Sequence, residues 1–220
     1  MEKIKVIGIY GAGGCGRGIA PLLKNKFNNK VKIYFIDDKI YNNYIDSYEC
    51  ISLKKFLNIK LNKKILIAVA DPKKRRLIYK KIKTYKLKFY NVFDNRAINF
   101  GNNQISDGYL ISPFVTIGSN VKIGKQFHAN LYSYVEHDCR LGDFVTFAPG
   151  AKCNGNVVIG DNVHLGSGSV IKNGTSKKPI IIGSNVVVGA GAVVTKNITK
   201  NSVVTGNPAK KLKKKWIGLI

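Results

Sequence analysis

Of the three histidines in this 220-residue chain, His137 has a carboxylate on either side, in the run Tyr132-Ser133-Tyr134-Val135-Glu136-His137-Asp138-Cys139. A carboxylate that accepts the Nδ1 proton fixes the tautomer, leaves Nε2 as a base and raises the basicity of the ring. That arrangement deprotonates an amine or hydroxyl nucleophile near neutral pH. His128 and His164 have no acidic neighbour in sequence, and each is expected to project into solvent. Taken alone, His137 reads equally as a base or as a structural corner residue.

A second constellation lies near the start. The apolar run Ile4–Tyr10 leads into Gly11-Ala12-Gly13-Gly14-Cys15-Gly16, and Arg17–Asn25 reads as a helix. In such a turn Gly11 permits the tight bend, Gly13 lets backbone approach a phosphate, and Gly16 lets the helix pack on the strand. The helix N-terminus then presents free N–H groups to the anion. A second strand, Val31–Ile36, ends in Asp37-Asp38, where a carboxylate can bind a ribose hydroxyl. A third, Ile65–Ala70, precedes Asp71-Pro72 and a basic helix to about Tyr85, and Lys88–Phe93 reads as a fourth. These residues make one half of a dinucleotide fold, a pocket sized for a mononucleotide. The alternatives are a dinucleotide, or a glycine turn that holds no ligand.

The element that must carry His137 is written in the period. From Ile111 a bulky or small apolar residue recurs every sixth position through Ile117, Ile123, Ala129, Val135, Leu141, Phe147, Cys153, Ile159, Leu165 and Ile171. After a detour through Lys177-Lys178-Pro179 the series resumes at Ile182, Val188 and Val194. A small or β-branched residue often sits fifth in each hexad. A period of six fits neither a helix stripe nor a long strand, but it fits a coil of short flat faces whose every sixth side chain meets a common axis. The doublets such as Ile117-Gly118 and Ile159-Gly160 put glycine after the inward residue, where a Cβ is crowded. Asn91–Asn103 shows no period, so a domain boundary is expected near Asn95, with residues 1–95 and 96–220 as the two domains.

Net charge is +25, with 37 Lys and Arg against 12 Asp and Glu. The basic residues are spread through the first hundred positions and the tail, without a nucleic-acid motif, so nucleic acid is not expected as a partner. A positive field attracts anionic small substrates, and the tail residues Lys210, Lys211, Lys213, Lys214 and Lys215 are candidates for weak contact with acidic lipid headgroups. No apolar run approaches a membrane span, and Met1–Tyr10 lacks a charged stretch followed by a long apolar region and a cleavage site, so export is not expected. Cys15, Cys50, Cys139 and Cys153 lack metal-ligand spacing and read as reduced thiols, so a cytoplasmic protein without metal is expected.

The Gly-rich unit, the hexapeptide coil, Glu136-His137-Asp138-Cys139-Arg140-Leu141-Gly142-Asp143 followed by Pro149-Gly150-Ala151, and the closing Gly206-Asn207-Pro208-Ala209-Lys210 resemble the bacterial sugar acyltransferases of the PglD/NeuD type. The resemblance covers nearly the whole chain. It implies a Rossmann-like α/β half-domain, then a left-handed parallel β-helix and a short helical C-terminal tail. It also implies a homotrimer, acetyl-CoA in a groove between neighbouring coils and a nucleotide sugar on the N-terminal domain. By position, His137 matches the general base and Asp138 its acidic partner, Asn130 a polar residue near the sugar, and Gly155, Gly166 and Ala190 the coenzyme groove. Gly11, Gly13, Gly14, Cys15, Asp37 and Asp38 match the nucleotide-sugar pocket. Thr146 and Cys15 depart from the family, which often carries histidine at both places. The activity implied is acetyl-CoA-dependent N-acetylation of a nucleotide-linked sugar, with a UDP-4-amino-4,6-dideoxy sugar expected. The alternatives are O-acetylation of sialic acid or a related sugar, and a non-enzymatic scaffold or nucleotide sensor.

Overall fold

The computed structural model of the chain describes residues 3–212. They form two units, residues up to 70 with 74–91, and residues 71–73 with the chain from 92 onward. In the first unit β1 (Val6–Tyr10) continues through the glycine loop into α1 (Gly14–Lys26). There follow β2 (Lys32–Ile36), β3 (Asn43–Ile45), β4 (Tyr48–Ile51), α2 (Leu53–Leu57), β5 (Lys63–Ile67) and α3 (Pro72–Lys83). The strands order as β3-β4-β2-β1-β5, parallel except for β3 at the edge. Val6, Ile7 and Ile9 of β1 are buried, as a central parallel strand covered on both faces requires.

Three features differ from the sequence expectation. Helix α1 starts at Gly14, ahead of Arg17, because the loop glycines themselves enter the first turn. The hairpin β3–β4 and the short helix α2, capped by Ser52 Oγ, accompany the three long strands. The strand expected over Lys88–Phe93 is divided: Phe89 makes an isolated bridge to Ile65, while Val92–Phe93 pairs with Leu110–Ile111. An apolar run read from composition cannot say which of two sheets will take each end.

The second unit is a parallel β-helix. Thr116 pairs with Tyr134 and Tyr134 with Lys152, so one coil takes eighteen residues, three hexads. The two-residue strands stack into three sheets. The first face carries Leu110–Ile111, His128–Ala129, Thr146–Phe147, His164–Leu165 and Val187–Val188. The second carries Ile98–Asn99, Thr116–Ile117, Tyr134–Val135, Lys152–Cys153, Val170–Ile171 and Val193–Val194. The third carries Gln104–Ile105, Lys122–Ile123, Arg140–Leu141, Val157–Ile159 and Ile180–Ile182.

Every hexad-opening residue from Ile111 to Val194 is buried in one core, joined by the fifth-position residues Val115, Val121, Phe127, Cys139, Val145, Ala151, Val157 and Val163. The detour leaves the coil between Ile171 and Ile180 and returns in register, Val158 against Ile181. Coiling already begins at Val92 and passes through Ile98–Asn99 and Gln104–Ile105, the stretch that shows no period in sequence. The inward place there falls to Asn99, which is exposed at the end of the coil, so the apolar pattern fades while the backbone ladder continues. At the other end Lys210–Lys211 is an exposed strand antiparallel to Val203–Thr205. The helix expected in the tail, with Lys213, Lys214 and Lys215, lies outside the described residues. No helix among the described residues is long and apolar enough to cross a membrane.

Candidate active site

His137 stands where the coil turns from its second face to its third. Its Nδ1 lies 2.8 Å from Asp138 Oδ2. Asp138 adopts φ 59°, a left-handed conformation that aspartate and asparagine tolerate better than most residues, and this turn aims its carboxylate back at the ring. Its other oxygen, Oδ1, accepts from Asn120 Nδ2 at 2.5 Å, one coil before. The hydrogen bond to Asp138 holds the imidazole above its ordinary pKa, with Glu136 adding to the effect, and Asp138 in turn is held below the usual carboxylate range by His137 and then Asn120. The His137 side chain is 56% exposed, so the ring is open to a substrate.

The other edge of the ring faces Gly155 on the next coil. A Cβ there would stand 2.6 Å from Cε1 and Nε2 of His137, so only glycine leaves this edge unobstructed. The Gly155 carbonyl accepts from Gly174 N, while its N–H donates to no group among the described residues. Base and free donor are thus one coil apart. On the far side of Asp138 a cleft of about 510 Å³ is lined by Asn120, Lys122, Arg140 and Asn156 and by Thr175 and Ser176 of the detour.

Asn130, Gly166 and Ala190 are not with His137. They follow the first face and stack at a different corner, where Gly150 N bonds Leu131 O and Gly168 N bonds Pro149 O from coil to coil. Asn130 Nδ2 donates to Phe147 O, and a Cβ on Gly166 would meet Ala190 N at 2.6 Å. This corner also presents Leu131 and Tyr132, 43% and 64% exposed, with the Tyr132 ring stacked on Phe114 at 5.0 Å. Within one chain the residues matched to the coenzyme groove therefore occupy two corners of the prism.

The expectation that His128 and His164 are solvated is wrong. They precede inward residues as read, but they are 1% and 8% exposed, in one column of the first face with Leu110 and Thr146, which are buried too. Outward from the coil axis is not outward into water on this face.

In the N-terminal unit Gly11 has φ 109° and its N–H bonds Ile36 O, so the tight bend needs glycine. A Cβ on Gly16 would fall 2.1 Å from Gly11 O, the close packing of helix on loop. Gly13 caps α1 with φ −79°, and a Cβ on it or on Gly14 would meet nothing. Packing within the unit thus leaves that space open. The Cys15 thiol follows it at the helix start, pushed up to about 11 by burial despite the Arg75 charge. Asp37 Oδ1 accepts from Lys39 N and Ile40 N. Asp38 is engaged more fully, with Oδ2 accepting from Tyr10 OH at 2.9 Å and Lys81 Nζ at 2.6 Å, and Oδ1 from Leu53 N. Burial opposes its ionisation, but Lys81, Leu53 N–H and Tyr10 together hold it below the usual carboxylate range. Among the described residues no cluster of three or more His, Cys, Asp or Glu is arranged to hold a metal.

Residues 6–82 match the PglD N-terminal domain, residues 138–173 the bacterial transferase hexapeptide (six repeats) and 156–196 the hexapeptide repeat of succinyl-transferase. GDP-perosamine N-acetyltransferase of Escherichia coli O157:H7 is 42% identical over 216 residues, 96% of this chain and 98% of that protein. The chain belongs to the PglD/NeuD-type sugar acyltransferases. WeeI from Acinetobacter baumannii AYE superposes on this acyltransferase with a TM-score of 0.92 at 42% identity, over 94% of this chain and all, 100%, of WeeI. The acetyltransferase domain of PglB from Neisseria gonorrhoeae FA1090, solved with acetyl coenzyme A, gives 0.85 at 27% identity over 96% of this chain and 100% of its own.

Several residues of this acyltransferase's sites escape a reading of the sequence. Asn120 is set on Asp138 by the coil repeat, a relation visible once eighteen residues are known to make a turn. Tyr10 and Lys81 meet at Asp38 from β1 and α3, and no spacing announces that. Arg75, fully buried, donates to Val69 O and Ala70 O and ties down the loop after β5.

Proposed function

We propose that the protein transfers the acetyl group of acetyl-CoA to the amino group of a nucleotide-linked sugar, with His137 as general base. The observation that carries this reading is the exposed His137 ring, backed at Nδ1 by Asp138, with its other edge against Gly155, whose N–H is unengaged among the described residues. The neutral amine attacks the thioester carbonyl and passes its proton to Nε2. The carbonyl oxygen takes the negative charge of the tetrahedral intermediate, and the Gly155 N–H is the donor for it. Collapse breaks the C–S bond, and the coenzyme A thiolate recovers the proton from the imidazolium. Asp138 stabilises the charged ring between these steps.

The nucleotide sugar is assigned to the glycine loop and Asp37, since Asp38 is committed to Tyr10, Lys81 and Leu53. For the base of the nucleotide, the relative that acts on GDP-perosamine favours a GDP-linked sugar over the UDP-linked one expected from sequence alone. The coil is read as left-handed and the protein as a cytoplasmic homotrimer, in which one protomer's corner of Asn130, Gly166 and Ala190 would face its partner's His137 corner across the coenzyme groove. Release of thiol from acetyl-CoA is to be measured with GDP-, UDP-, dTDP- and CMP-linked amino sugars and with free sialic acid. Thiol release with a GDP-linked amino sugar is expected. Release with sialic acid alone would replace the reading by O-acetylation.

A further inference from the structure

Two of the coil's three corners carry ladders of left-handed Asn and Asp residues, and these two differ in one atom type. Where the third face turns to the first, Asn162, Asn185 and Asn201 stack with φ 55°, 60° and 58°. Each amide donates onward, Asn162 Nδ2 to Asn185 Oδ1 at 3.1 Å and Asn185 Nδ2 to Asn201 Oδ1 at 3.0 Å. That ladder joins coils and nothing more. Where the second face turns to the third, Asn120, Asp138 and Asn156 stack with φ 59°, 59° and 57°. Asn120 donates to Asp138 just as Asn162 does to Asn185, but a carboxylate has no proton to pass on, so the ladder stops there. The oxygen left over meets His137 Nδ1.

We propose that Asn120 is a positioning residue for the Asp138–His137 pair, holding one carboxylate oxygen so that the other stays on the imidazole. The inference rests on the reading of His137 as base. Asp138 needs such a hold because its side chain is 44% exposed, and Lys122 and Arg140 line the same cleft as competing partners. The charged or titratable groups around the pair are Glu136 and Cys139 on its own turn and Lys122 and Arg140 on the third face. The coils before and after contribute Ser119, Asn120, Asn154, Gly155 and Asn156, none of which titrates.

Asn120→Gly keeps the left-handed backbone accessible and removes only the amide. Without it the carboxylate leaves the ring for solvent or the two cations, so the His137 pKa falls and the acid limb of kcat moves to lower pH. A loss of about tenfold in kcat is expected, the scale of one hydrogen bond to a charged group, with KM for both substrates unchanged. Asn120→Asp keeps shape and backbone but adds a negative charge beside the pair, and must move the limb the other way. Asn185→Gly, which cuts the structural ladder, leaves the pH profile where it is. His137 is followed by NMR titration alongside the kinetics. A wild-type titration, or an upward move, in Asn120→Gly overturns the proposal, as does an unmoved limb in Asn120→Asp. If the NMR shifts go as stated and kcat does not follow them, positioning stands and the base assignment fails.

Discussion

At the scale of single residues, the proposed role of His137 as base requires its neutral form, while Asp138 raises its pKa. The rate is therefore lost as pH falls through that raised value. His137→Ala should lower kcat by about two to four orders of magnitude, the usual scale of general base removal, while leaving the scattering mass unchanged. Asp138→Asn removes what raises the imidazole, so the acid limb moves to lower pH and kcat falls by less than in His137→Ala; a pH profile of kcat from both variants checks the order and the direction. Gly155→Ala tests the open edge of the ring. Its methyl would have to push aside the exposed tip of the imidazole rather than backbone, since the nearest atoms are Cε1 and Nε2 at 2.6 Å, and so would pull the ring from Asp138. The fold should survive, with thermal midpoint little changed, while kcat falls at least as far as in Asp138→Asn.

At the scale of elements, the glycine loop between β1 and α1 contains two kinds of glycine. Gly16 is needed by the protein itself, because a Cβ would run into the carbonyl of Gly11 rather than into a movable side chain. Gly16→Ala should destabilise the N-terminal unit by about 1 to 3 kcal/mol, as overpacking does, seen as a lower denaturant midpoint. Gly13 has ordinary φ and open space around it, so nothing in the fold demands glycine there beyond its capping role. Gly13→Val should cost about 1 kcal/mol of stability or less. If a phosphate approaches this backbone, the same variant raises KM for the nucleotide sugar at least tenfold and leaves KM for acetyl-CoA unchanged. Steady-state kinetics with each substrate varied in turn separates the two effects.

At the scale of the whole molecule, the exposed His137 ring and an exposed aromatic corner both call for a partner surface. Phe114 and Tyr132, residues 45% and 64% exposed, stack their rings from left-handed backbone at φ 61° and 59°. Bulky residues in that region cost about 1 to 2 kcal/mol each, which the ring stacking and Arg96 over the Phe114 ring offset only in part while the pair faces water. Light scattering should give a mass near three times 24.3 kDa. Tyr132→Asp suits the backbone better and should leave the protomer folded. It puts an unpaired charge where an apolar contact is expected, so the scattering mass should fall toward that of one protomer and activity should fall with it.

The hexad period of the residues from Ile111 to Val194 determined the coil by itself, because side chains that recur every sixth position have one axis to share. The same holds for Gly11 and Gly16, whose need for glycine is local, and for the closeness of His137 and Asp138, which are neighbours in sequence. The first coil was hidden because Asn99 takes an inward place where exposure at the coil end removes the need for an apolar residue. The hold of Asn120 on Asp138, the capture of Asp38 by Tyr10 and Lys81, the burial of His128 and His164, and the sorting of Asn130, Gly166 and Ala190 to another corner were decided only in three dimensions. The reason is physical. Periodicity reports which side chains leave water, whereas partners drawn from different coils and strands depend on register and on what covers each face.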